Sequence, residues 1–166
     1  MPNQGKKPKD FVARDPVDGI GLKGVVLVVD DVKLMRMSLC RVLKSAGYTV
    51  FEAEDGTQAL AMLQLEEMLR FQDMSLVIAD IRMPDMDGLE MVEQIRANPK
   101  TANLPVLMCT GTKRKSEIIQ AARLGIQGFL VKPVSPASLL TKVEEIFAAV
   151  QRSYKGKSEA SGAIDI

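Results

Sequence analysis

Five short aliphatic runs punctuate the chain at near-regular intervals: "VVLVVD" (25–30), "YTVFEA" (48–53), "SLVIAD" (75–80), "LPVLMCT" (104–110) and "GFLVK" (128–132). Runs this continuous suit strands buried on both faces, and strands set apart by helix-length segments are joined as parallel neighbours through crossovers. The intervening segments have the period of a helix. Met35, Leu39, Val42, Leu43 and Ala46 recur at i, i+4, i+7, i+8 and i+11, and Gly47 follows as a stop. Similar patterns predict helices over 57–69, 89–97, 116–124, with Gly125 as a stop, and 136–150. Ser135 is placed to cap the last of these and Pro136 to take its first position, where a missing N–H is harmless. The expected fold is α/β, a doubly wound five-stranded parallel sheet with five helices, whose ligand site lies beyond the carboxyl ends of the strands.

Composition narrows the function. With 166 residues, 46% of them hydrophobic, the chain can bury a core without staples. Twenty-two basic side chains against 21 acidic ones leave a net charge of +1, which argues against a surface built for nucleic acid or an anionic membrane. The longest aliphatic run, "VVLVV", has a strand's length, so neither a membrane span nor a signal peptide is expected. Cys40 and Cys109 lie far apart in no metal-ligand spacing and fit a reducing cytoplasm. Histidine is absent, which removes imidazole catalysis and histidine metal sites. Residues 1–23, with Lys6, Lys7 and Lys9, and 152–166 have no apolar period and read as flexible tails.

The strand ends supply the chemistry. Asp30 and Asp31 end the first run, Asp80 the third, Thr110 the fourth and Lys132 the fifth. Taken singly they are a helix cap, a turn former, a polar strand end and a solvated lysine. In a parallel sheet they converge on one edge. Two unit charges ~4 Å apart interact by about 4 kcal/mol at an effective dielectric near 20, so three carboxylates require a cation. Oxygen-only ligands favour Mg²⁺, which commonly completes its shell with phosphate, and Lys132 and Thr110 are placed to meet that anion.

The ordered set "VVLVVDD", "EAEDGTQAL", "VIADIRMPDMDGLE", "LPVLMCTG" and "GFLVKP" resembles the receiver domain of two-component response regulators over 24–151. The resemblance implies a flavodoxin-like fold with strand order 2-1-3-4-5 and a signalling phosphoacceptor rather than an enzyme acting on a separate substrate. It implies Asp80 as phosphoacceptor, and Mg²⁺ held by Asp31, Asp80 and the main-chain carbonyl of Arg82, with Asp30 acting through water. Lys132 and Thr110 then bind the phosphoryl group, Phe129 is the switch aromatic, and the Lys132–Pro133 bond is cis, an isomer found in about 5% of X-Pro bonds. The implied partners are a sensor histidine kinase or histidine phosphotransfer protein and a downstream protein target, such as a chemotaxis motor, relay component or other regulator. Neither nucleic acid nor membrane is engaged directly.

Three departures stand out. The segment between Asp55 and Asp80 is longer than the family's, Arg82 and Thr112 occupy positions that tune dephosphorylation there, and the tails have no family counterpart. Residues after 151 are too few for a DNA-binding output domain, so readout through protein contact is expected. Lys113, Arg114 and Lys115 read as a solvated loop. A haloacid-dehalogenase phosphatase wants a second aspartate two residues after the first, and Val32 and Arg82 stand there instead. A constitutive binding module and a fragment of a larger regulator are the remaining alternatives.

Overall fold

Valine and leucine fill the first strand, and the structure, a computed structural model that describes residues 23–69 and 74–162, buries nearly all of it. The elements alternate: β1 (Val25–Val29), α1 (Lys33–Ser45), β2 (Thr49–Ala53), α2 (Gly56–Leu69), β3 (Leu76–Ala79), α3 (Gly88–Ala97), β4 (Val106–Thr110), α4 (Lys115–Arg123), β5 (Gly128–Val131) and α5 (Pro136–Gly162). All strand pairs are parallel and the order is β2-β1-β3-β4-β5. The sheet is thus doubly wound, with β1 and β3 adjacent at its centre. No described helix is long and apolar enough to cross a membrane.

Two apolar layers sandwich the sheet. One joins Leu27, Val77, Ile81, Met91, Ile95 and Met108. The other joins Val28, Leu43, Ile78, Leu107, Leu139 and Val143. Successive strand residues point to opposite faces, which is why neighbours such as Leu27 and Val28, or Leu107 and Met108, belong to different layers. Cys40 and Cys109 are buried in the second layer. Burial pushes both thiols up to about 11, with the nearby Glu52 carboxylate adding to the effect at Cys40. The native protein is therefore expected to leave a thiol-specific disulfide reagent unreacted at pH 8 and to titrate two thiols once unfolded. Rapid reaction of the folded chain would contradict that burial.

Loop chemistry sets the helix ends. Ser135 Oγ accepts from Ser138 N–H at 3.1 Å and Asp87 Oδ1 from Glu90 N–H at 2.9 Å, capping α5 and α3. Asp85 takes a positive φ of 65°, which suits a short side chain that can satisfy the turn locally. At α1 the cap position is Val32 rather than Asp30 or Asp31, and it makes no side-chain cap bond.

One expectation needs correction. The last helix does not stop at Val150. It runs to Gly162, so residues 152–162 are helical where a flexible tail was expected. The apolar period of Leu139, Val143, Ile146 and Phe147 continues through Val150 and Tyr154, and no proline interrupts it; the charged and small residues in between hide that continuation. Val150 and Tyr154 line a cleft of about 1060 Å³ with Phe147, Leu104 and Pro99, near the amino ends of β3 and β4. On α1 the buried stripe is Arg36, Leu39, Cys40 and Leu43. It shares Leu39 and Leu43 with the predicted stripe, whose Val42 and Ala46 are half-buried and pack against the same layer, and it adds Arg36 and Cys40. The N-terminal stretch predicted to be a tail lies outside the described residues except for Lys23.

Candidate functional site

The strands end one residue before the chemistry begins. Asp30 follows β1, Asp80 follows β3 and Lys132 follows β5, while Thr110 is the last residue of β4. A parallel register brings these ends together. Asp30, Asp31 and Asp80 each present a carboxylate oxygen within 4.8 Å of the others. Asp30 and Asp80 are buried and Asp31 is exposed.

Lys132 reaches across this cluster. Its Nζ donates to Asp30 Oδ2 at 2.6 Å and to Asp80 Oδ2 at 2.7 Å. Burial disfavours the ammonium, but these two bonds and the two carboxylate charges outweigh it and raise the Lys132 pKa above its ordinary value. The remaining carboxylate oxygens are held by the backbone: Asp30 Oδ1 accepts from Val32 N–H at 2.9 Å and Asp80 Oδ1 from Arg82 N–H at 3.2 Å. Asp30 and Asp80 are thus each fixed at both oxygens. No buried side-chain nitrogen or oxygen among the described residues lacks a hydrogen-bond partner.

Thr110 is fully buried, and its hydroxyl accepts from Thr112 N–H at 3.3 Å; its carbonyl accepts from Lys132 N–H at 2.8 Å, tying the two strand ends together. Phe129 is half-buried and packs on the layer that contains Met108, its partner in the β4–β5 register. The Lys132–Pro133 peptide is cis. Lys113, Arg114 and Lys115 are exposed.

Arg36, Glu117 and Gly88 carry parts of the site that sequence reasoning passed over. The Arg36 guanidinium is buried, donates to the Asp30 carbonyl at 2.8 Å and pairs with Glu52 at 3.3 Å, so it pins the chain where β1 turns into the acidic loop. Its spacing from Leu39, Cys40 and Leu43 was the available signal, because a cation on an apolar stripe needs partners. Glu117 accepts from the Thr112 hydroxyl and from Arg82, at 3.1 Å for the latter. Gly88 lies so close to the loop after β3 that a Cβ there would sit 2.1 Å from the Asp80 carbonyl oxygen.

A hard divalent cation fits this donor set, since the cluster offers only oxygen ligands and two of its carboxylates are held in place by the backbone. The acidic cluster and the fold agree with three comparisons. Residues 26–144 match the model of the response regulator receiver domain. The chemotaxis protein CheY-3 of Vibrio cholerae is 37% identical over 123 residues, covering 74% of this chain and 90% of that protein. The chemotaxis protein CheY of Pseudomonas aeruginosa is 36% identical over 126 residues, covering 75% and 97%. Among solved structures, the CheX–CheY–BeF₃–Mg²⁺ complex of Borrelia burgdorferi is similar at a TM-score of 0.69, with 27% identity over 76% of this chain and 91% of the other. With three aspartates and a lysine gathered where a doubly wound sheet of order 2-1-3-4-5 opens, the chain belongs to the CheY-like receiver domains of response regulators.

Proposed function

We propose that this receiver takes a phosphoryl group onto Asp80 from a phosphohistidine on a sensor histidine kinase or histidine phosphotransfer protein. It then signals to a downstream protein through a surface that changes with phosphorylation. One observation carries the reading: a single ammonium, Lys132, bridges Asp30 and Asp80 at 2.6 and 2.7 Å, with Asp31 beside them. A structural ion pair needs one carboxylate. Three around one lysine, at a strand edge with an exposed side, suit a cation and a phosphoryl group.

Asp80 supplies the nucleophile. One carboxylate oxygen forms a bond to phosphorus while the P–N bond to the donor imidazole breaks, and the imidazole nitrogen keeps the electron pair. Phosphoryl transfer through a loose transition state asks the protein mainly for alignment and charge neutralisation. Lys132 is already aimed at Asp80 and can follow a phosphoryl oxygen, and the Thr110 hydroxyl can donate to another. Asp31, Asp80 and the Arg82 carbonyl would hold Mg²⁺, with Asp30 reaching it through water. The metal neutralises charge on the phosphoryl oxygens when bound. Water attack on phosphorus later returns the carboxylate and releases phosphate, so the signal decays.

The phosphoryl group brings about −1.5 to −2 charges, enough to shift the balance between two surface arrangements. Thr110 and Phe129 are the residues through which α4, β5 and α5 sense it. The chemotaxis relatives favour a protein target over nucleic acid. Buried, reduced cysteines fit a cytoplasmic setting. Incubation with acetyl phosphate is expected to add one phosphoryl mass to the intact chain in Mg²⁺ and none after chelation. An equal gain without the metal would overturn the Mg²⁺-dependent reading, and no gain in its presence would remove the phosphoacceptor.

A further inference from the structure

Glu117, in the first turn of α4, touches both loops that border Asp80. One of its carboxylate oxygens accepts from the Arg82 guanidinium at 3.1 Å and the other from the Thr112 hydroxyl. Each partner leads back to the site by one more bond. Arg82 N–H donates to Asp80 Oδ1 at 3.2 Å, and Thr112 N–H donates to the Thr110 hydroxyl at 3.3 Å. The Glu117 side chain is 20% exposed, whereas that of Arg82 is 54% exposed and can swing on its stem.

We propose that Glu117 is a positioning residue that holds the Arg82 guanidinium away from Asp80 until a phosphoryl group competes for it, so that the first turn of α4 is told the state of the acceptor. This inference rests on Asp80 being the phosphoacceptor and assigns the regulation of that site. Arg82 lies two residues from Asp80, and a phosphoryl dianion offers it three acceptor oxygens and more charge than one carboxylate does. Two anions then share one cation. By linkage, whatever Glu117 contributes to holding Arg82 is subtracted from the affinity of the site for the phosphoryl group. Thr112 stays on Glu117, so movement of Thr110 pulls the same helix turn from its other side.

The test uses beryllofluoride, titrated into the full chain at fixed Mg²⁺ and followed by amide NMR shifts. Glu117→Gln keeps an oxygen for Thr112 but loses the charge that attracts Arg82. It is expected to bind beryllofluoride roughly three- to five-fold more tightly, the factor that a partly exposed ion pair carries. The amides of the first turn of α4 should shift less in this variant than in the native chain. In an Arg82→Gln background the gain should vanish. Unchanged or weaker binding in Glu117→Gln, or an equal gain without Arg82, overturns the role of Glu117. Failure of the folded native chain to bind beryllofluoride instead removes the phosphoacceptor reading beneath it.

Discussion

An Asp80→Asn protein incubated with acetyl phosphate and Mg²⁺ is expected to keep its unmodified mass, a complete loss of the adduct rather than a slowing. The amide has nearly the size of the carboxylate but no ionised oxygen to attack phosphorus. Its carbonyl oxygen can still accept from Lys132, which also keeps its 2.6 Å bond to Asp30, and the change gives up only the long 3.2 Å bond from Arg82 N–H. The fold should therefore survive. Two buried carboxylates now share one ammonium, and removing one lessens the repulsion between them. A thermal midpoint equal to or above that of the native chain is the expected companion result, and it separates lost chemistry from lost structure. An adduct that persists in this variant would falsify the assignment of Asp80.

The second large effect is structural. Gly88→Ala is expected to cost about 3 kcal/mol in urea unfolding, at the upper end for overpacking, because the new methyl group meets backbone and not a yielding side chain. Its Cβ would lie 2.1 Å from the Asp80 carbonyl oxygen and 3.0 Å from Ile81 Cα. Gly88 N–H also donates to the Ile81 carbonyl at 2.7 Å, so the helix start and the loop after β3 cannot part without losing that bond. Gly56→Ala is the matched control. There the nearest atom is Met86 Sδ at 2.9 Å, the far part of a flexible side chain, and the cost should stay below about 1 kcal/mol. Equal costs at the two glycines would show that the loop after β3 gives way.

How far the sequence speaks is visible in these residues. Strands were legible because apolar residues run with almost no break through β1, β3 and β4, and their ends pointed to Asp30, Asp80, Thr110 and Lys132 because a parallel sheet leaves little choice. Gly88 stood in plain view in the motif, but its reason, the carbonyl of nearby Asp80 passing overhead, depends on how the loop after β3 folds back and leaves no trace in the residue types. Arg36 left a trace in its spacing. Glu117 left none, since a glutamate in the first turn of a helix is ordinary on any surface. The length of α5 was hidden by composition: lysine, serine and glycine after Val150 look like a tail until the spacing of Val150 and Tyr154 is followed.

The buried thiols make the protein simple to instrument. Cys40 and Cys109 are the chain's only cysteines, both are sealed in the core, and tryptophan is absent. No cysteine-free background is needed for dye attachment. An Ile119→Cys change, at a position 43% exposed on α4, places the sole accessible handle on the helix whose first turn holds Glu117. A fluorophore coupled there can report partner engagement against a dark protein.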